Sequence, residues 1–281
     1  MSLQLINPQL DLKWLASHTT GQGIEVAVID SGIDARHPDL AGRISRGCVV
    51  AKDSKGRIQV REIKGKDCTD NYGHGTAVAG IIADLAPDAR MVAVKILNEF
   101  NSCTGDILVE GMKWALDRKI RLLNMSLATS KPAYIPSLYE LAEQAYVQNS
   151  IVVAAKRNFG DTGWPAMFSS VISVDREVYT EKLRVHYRPN TRVEFDARGT
   201  EIRVAAPGGG YAIQTGTSFA TPHVCGMVAL LLEAFPTLTA AEAKAALIAF
   251  SERIHWEKKQ SPETAATPSR VKIIAGKRQN K

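Results

Sequence analysis

Ile24-Glu25-Val26-Ala27-Val28-Ile29-Asp30-Ser31-Gly32 is the stretch from which the fold can be read. Residues 24–29 (IEVAVI) form an apolar run of the kind found in a strand covered on both faces, where alternation of polar and apolar residues is lost. The run ends in Asp30-Ser31-Gly32. A carboxylate at the carboxyl end of such a strand lies where open α/β sheets hold their sites. The plainer reading is an aspartate that caps a turn.

Working outward, Met91–Leu97 (MVAVKIL), Leu122–Leu127 (LLNMSL) and Ile151–Ala155 (IVVAA) repeat the pattern, and Val171–Val174 and Ile202–Ala205 are expected as further strands. Between them lie helical patterns. Ala77–Ala83 is small and apolar all round, which fits a tightly packed helix. Asp106–Lys119 carries Leu108, Met112, Ala115 and Leu116 on one side, and Leu138, Leu141, Ala142 and Ala145 recur at i, i+3, i+4 and i+7. Strand–helix alternation implies an α/β fold, a mostly parallel sheet with helices on both faces. Residues 45–70, mixed in charge and glycine, are expected at the sheet edge. Thr239 and Glu242 form a capping box for a helix running to about Phe250. The reading divides the chain into a domain at 1–256 and a loosely held basic tail at 257–281, with one strand at Val271–Ala275.

The chain has 281 residues, 45% hydrophobic and 23% charged, an ordinary globular composition. No apolar run reaches the roughly 18 residues a membrane helix needs, so no membrane partner is expected. Met1–Leu15 contains Asp11 and Lys13 and lacks the order of a secretory signal. The four scattered cysteines match neither a zinc site nor a disulfide framework. A cytoplasmic location is expected. Part of the net charge of +6 sits in Arg270, Lys272, Lys277, Arg278 and Lys281, read as a solvated tail, and no nucleic-acid motif accompanies it.

Three polar groups interrupt these apolar elements at their ends. His74 lies between Gly73 and Gly75 at the start of the 77–83 helix, and Ser218 in Thr215-Gly216-Thr217-Ser218-Phe219-Ala220-Thr221-Pro222-His223 opens the run Val224–Ala234. A helix start leaves amides unpaired and favours negative charge, a suitable seat for a nucleophile that generates an oxyanion. Taken alone, Ser218 reads equally as an N-cap and His74 as a structural core histidine. Together with Asp30 they are the parts of a Ser-His-Asp relay, in which the carboxylate orients the imidazole and the imidazole takes the serine proton. The order Asp, His, Ser is that of subtilisin.

At this point the resemblance becomes specific. Asp30-Ser31-Gly32 with His37-Pro38-Asp39-Leu40, Gly73-His74-Gly75-Thr76-Ala77-Val78-Ala79-Gly80 and Gly216–Val224 resemble the aspartate, histidine and serine motifs of the subtilisin-like serine proteases, the subtilase family or peptidase S8. Asn124-Met125-Ser126-Leu127 and Ala206-Pro207-Gly208 match two further signatures, and the likeness runs from about residue 10 to 250. Leu5-Ile6-Asn7-Pro8 weakly resembles the leader of the intracellular type. The resemblance implies the three-layer subtilisin-like fold and a serine endopeptidase acting on polypeptides. It assigns Asp30, His74 and Ser218 as catalytic, and Ser126, Leu127 and Ala128 opposite Phe100, Asn101 and Ser102 as substrate-binding edges.

Several positions depart from the family pattern. Asn158 keeps the spacing of the oxyanion asparagine if one residue is inserted, whereas ungapped alignment puts Arg157 there. Lys156 and Arg157 fall at the wall of the first specificity pocket. They read either as a preference for an acidic or polar residue before the cut or as two solvent-facing side chains. The short turn Asp84–Arg90 has two aspartates, too few for the 6–8 oxygens calcium takes, so no tight calcium site is expected there, and neither metal nor cofactor elsewhere. Cys68 is expected to be buried, and His223 to pack structurally. The competing function is a catalytically weak pseudoprotease that binds an extended peptide or partner protein. A regulatory partner at the N-terminus or the tail is a further reading.

Overall fold

The computed structural model describes residues 11–158, 160 and 163–260, with side chains to residue 251. It opens with α1 (Leu12–His18), which the sequence reading did not anticipate. Asp11 caps it by accepting the Trp14 N–H at 2.7 Å, and Leu12 and Leu15 are buried. Next come β1 (Glu25–Asp30), β2 (Ile44–Lys52), β3 (Ile58–Lys64), α2 (His74–Leu85), β4 (Arg90–Lys95) and α3 (Gly105–Asp117). The chain continues through β5 (Leu122–Met125), α4 (Ile135–Val147), β6 (Ile151–Ala155), β7 (Ile172–Glu177), β8 (Val185–Tyr187) and β9 (Phe195–Arg198). It closes with β10 (Ile202–Ala206), β11 (Gly210–Gln214), α5 (Thr217–Ala234) and α6 (Ala240–Gln260).

The nine-stranded sheet has the order β3-β2-β4-β1-β5-β6-β7-β9-β8. It is parallel from β2 to β9, with β3 and β8 added antiparallel at the two edges. Successive side chains of a strand face opposite sides. Val26 and Val28 therefore join one core with α1, α2, α5 and α6, while Ala27 and Ile29 join the other with α3 and α4. Helices thus cover both faces, as expected for an α/β chain. The order reverses at β1, which has β4 on one side and β5 on the other. The crevice beyond the carboxyl ends of β1 and β5 is the place for a site.

Helix α5 is buried along nearly its whole length. Met227, Val228, Leu230 and Leu231 are fully inaccessible, each worth about 1.5–3 kcal/mol of burial. One Glu233 oxygen near its C-terminus accepts the backbone N–H groups of Thr20, Gly21 and Gln22 at 2.7, 2.6 and 3.0 Å. That carboxylate fixes the turn entering β1 to the central helix.

Parts of the fold differ from expectation. Ile202–Ala206 is a strand, but it pairs with β11 in a separate hairpin rather than joining the sheet. The short strands β8 and β9 gave too few residues for a periodic signal. The capping box at Thr239 and Glu242 forms, with Glu242 accepting the Thr239 N–H at 2.8 Å, but α6 runs past Phe250 to Gln260. The proposed boundary at 256 falls inside this helix. The rest of the tail and the strand expected at Val271–Ala275 lie outside the described residues, as do Leu5–Pro8.

Candidate active site

Asp30, the last residue of β1, is fully buried. Its three-residue motif divides the work. The Asp30 carboxylate accepts the His74 Nδ1–H at 2.8 and 2.9 Å and the Ser31 N–H at 2.7 Å. The Ser31 hydroxyl accepts the Gly75 N–H in the first turn of α2 at 2.9 Å. Gly32 has φ 110°, a left-handed conformation that suits glycine, and a Cβ there would stand 2.2 Å from the Thr69 carbonyl oxygen. Gly75 is equally confined, because a Cβ on it would lie 2.0 Å from the Gly32 oxygen. The glycines let α2 press against the end of β1, and that contact brings His74 to Asp30.

Gly73 is the N-cap of α2, and Asp70, four residues before His74, holds the turn that enters the helix. One oxygen accepts the Tyr72 and Gly73 N–H groups at 3.1 and 2.8 Å, and the other accepts the Thr76 N–H and hydroxyl at 2.9 and 2.7 Å. The sequence reading missed Asp70, which stands outside the N-cap position that such signals mark. Burial disfavours the charged form of His74. The charge and hydrogen bond of Asp30 and the charge of Asp70 outweigh burial and hold its pKa above the ordinary 6.5. With Nδ1–H given to Asp30, the neutral ring carries its lone pair on Nε2.

Ser218 is the second residue of α5. Its hydroxyl donates to the Ser126 carbonyl at 2.8 Å, not to His74, and the Ser126 hydroxyl donates to the Ser218 carbonyl at 2.8 Å. Asn124 Nδ2 in turn donates to the Ser126 hydroxyl at 3.0 Å. Strand β5 ends at Met125, so Ser126 lies just beyond the strand the sequence reading drew through Leu127.

His74 and Ser218 line the same two cavities, each of about 380 Å³. The first lies between Asn101–Ser102 and Ser126–Ala128, with Lys156, Arg157 and Asn158 at one end. The second runs along the β10–β11 hairpin, past Tyr72, Gln214 and Phe219. The structure therefore brings five of the six expected edge residues to the cleft. Phe100 lines neither cavity and is 77% exposed.

Asn158 Oδ1 accepts the Thr217 N–H and hydroxyl, both at 3.2 Å. An oxygen facing an N–H fixes the amide orientation and leaves Nδ2 free to donate. Asn158 lines both cavities, whereas Arg157 lines only the first. Lys156 turns to Asp175, with Nζ 2.9 Å from Oδ2. Cys103 also lines the first cavity, but burial pushes its thiol up to about 11. Cys68 is buried, with its thiol likewise pushed up to about 11 by burial. Buried His223 donates from Nδ1 to the Phe219 carbonyl at 2.7 Å, and burial lowers its pKa to about 4. Both residues pack as expected.

The arrangement supplies an oriented base, a hydroxyl at a helix start and a free amide donor around one cleft. Comparison with known proteins bears on this chemistry. The profile of the subtilase family matches residues 21–267. The chain is 35% identical over 231 residues to the intracellular serine protease of Paenibacillus polymyxa, covering 76% of this chain and 68% of that protein. It is 33% identical over 240 residues to Subtilisin E of Bacillus subtilis (strain 168), covering 80% of this chain and 59%, less than two thirds, of that protein. The crystal structure of a cold adapted subtilisin-like serine proteinase superposes with a TM-score of 0.67 at 25% identity, covering 83% of each chain.

Proposed function

The chain belongs to the subtilase family, and from that premise we propose that it is a serine endopeptidase of the class EC 3.4.21 that cuts extended polypeptides in the cytoplasm. One observation carries the reading: buried Asp30 holds His74 through Nδ1 at the edge of the cavities that Ser218 also lines.

In this proposal the substrate lies as an added strand between Ser126–Ala128 and Asn101–Ser102, held by backbone hydrogen bonds. The Ser218 hydroxyl leaves the Ser126 carbonyl by rotation about its χ1 and turns to Nε2 of His74. Its proton passes to Nε2 as Oγ bonds to the scissile carbonyl carbon. The Asn158 amide and the Ser218 N–H, one of those a helix start leaves unpaired, hold the resulting oxyanion. The C–N bond breaks as Nε2–H protonates the leaving amine. Water then attacks the acyl carbon, gives its proton to Nε2, and Ser218 departs with that proton. Asp30 remains ionised throughout and stabilises the imidazolium.

No tightly bound calcium is proposed at residues 84–90, because two aspartates are too few for the 6–8 oxygens calcium takes. A regulatory protein docked at the N-terminus or tail remains part of the proposal. No helix among the described residues is long and apolar enough to cross a membrane. A fluorophosphonate reporter tests the chemistry. It should label Ser218 in the wild type and fail to label Ser218→Ala and His74→Ala. Wild-type protein that is folded, unlabelled and inert toward unfolded casein would leave only peptide binding.

A further inference from the structure

Three cations, Lys131, Lys156 and Arg157, line the cavity between the two substrate edges, and no carboxylate among the described residues does. Their situations differ. Lys131 is exposed at the rim. Lys156 is neutralised by Asp175, whose carboxyl is held below its ordinary range: burial opposes this, but hydrogen bonds from Lys156 and the Arg176 N–H and the charges of Lys156 and Arg188 prevail. Arg157 is half-buried, and no carboxylate among the described residues pairs with it.

The stem of Arg157 lies against the cavity wall. A Cβ built on Gly163 would meet Arg157 Cγ at 2.8 Å and Ala128 Cβ at 3.1 Å, so the stem, Gly163 and Ala128 pack against one another. The wall behind is closed by Thr129 and Trp164, which exchange backbone hydrogen bonds at 3.0 and 2.9 Å. Arg157 directly precedes Asn158, the amide donor. Both line the cavity that Ser218 also lines, so in the proposed pose the side chain of the residue whose carbonyl meets Asn158 shares that cavity with Arg157. A planar, permanently charged fork in a partly desolvated wall favours a carboxylate.

We propose that Arg157 makes this pocket selective for an acidic side chain immediately before the scissile bond. The proposal rests on the endopeptidase reading.

Four matched internally quenched peptides, with Glu, Gln, Leu or Lys at that position, test it. A charge-assisted contact in a half-exposed site should favour Glu over its isostere Gln by roughly tenfold in kcat/KM. The ratio should shrink in 0.5 M NaCl. Arg157→Gly should bring it within about twofold, and Arg157→Glu should make Lys the preferred residue. Gly163→Ala keeps the charge but displaces the stem, and should lower the ratio as well. Fluorophosphonate labelling of Ser218 in the same samples reports separately on the chemistry. Should turnover be absent, fluorescence anisotropy of labelled peptides on Ser218→Ala protein still compares Glu with Gln. Equal cleavage or binding of Glu and Gln peptides, or a preference that survives Arg157→Gly, overturns the proposal whatever the labelling shows.

Discussion

Gly75→Ala puts the geometry of the cleft under a direct strain. The added methyl would stand 2.0 Å from the Gly32 carbonyl oxygen and 3.1 Å from Asp30 Cβ. Ordinary contact begins near 3.4 Å, so α2 and the end of β1 must part by about 1 Å or more. Gly32 is a backbone group with nowhere to rotate. The parting opens the 2.8 Å bond between His74 Nδ1 and Asp30 toward or past the roughly 3.5 Å at which a hydrogen bond ceases to count. Overpacking of this kind costs about 1–3 kcal/mol, which for a domain of this size lowers the melting temperature by about 2–12 °C. A misplacement of about 1 Å in a catalytic constellation costs on the order of 10² in rate. Thermal melts and kcat/KM on a peptide substrate should therefore both fall, with the labelling rate of Ser218 falling in parallel. A variant that melts within a degree of the wild type and keeps its activity within threefold would refute the account of why this position is glycine.

Other outcomes are expected. Since the folded pKa of His74 is raised above 6.5, activity should be lost as pH falls through a value above 6.5. The stability from the charged His74–Asp30 pair is fully present below 6.5 and fades as pH rises through the same folded value. Asp30→Asn should move the acid limb of kcat/KM downward and reduce kcat by about 10⁴, the figure known for other triads; an unmoved limb would remove Asp30 from the role. Glu233→Ala strands three backbone N–H groups and should cost about 2 kcal/mol while leaving kcat nearly unchanged, as denaturant melts and initial rates would show. With only two aspartates in residues 84–90, too few for calcium, adding EDTA should leave the melting temperature unaltered; a drop of many degrees would establish a tight metal site.

Local sequence was informative where one residue type satisfies one local demand. Runs such as Val26–Ile29 mark buried strands because few polar groups survive between two helical layers, and Thr239 with Glu242 marks a helix start because each side chain accepts the other's backbone N–H within one turn. Asp70 escaped notice because it stands four residues ahead of the helix it supports and reaches Thr76 only through the turn at residues 71–73. Helix α1 escaped because its seven residues give barely two turns of pattern. Ile202–Ala206 looked like any buried strand, and its partner β11 is too exposed and short to announce the hairpin.

The order of buried strands and helices, the three polar residues at their ends and the glycines beside them were determined by the sequence alone, since each follows from spacing and residue type. Tertiary structure decided which side chains meet. It turned Lys156 to Asp175 and left Arg157 in the cleft, and it let Ser126 hold the Ser218 hydroxyl. It also set Asn158 Oδ1 against Thr217 so that its amide is free. Such choices depend on contacts between residues as far apart as 92 positions, where competition for a single donor or carboxylate is settled by packing and leaves no mark in local sequence.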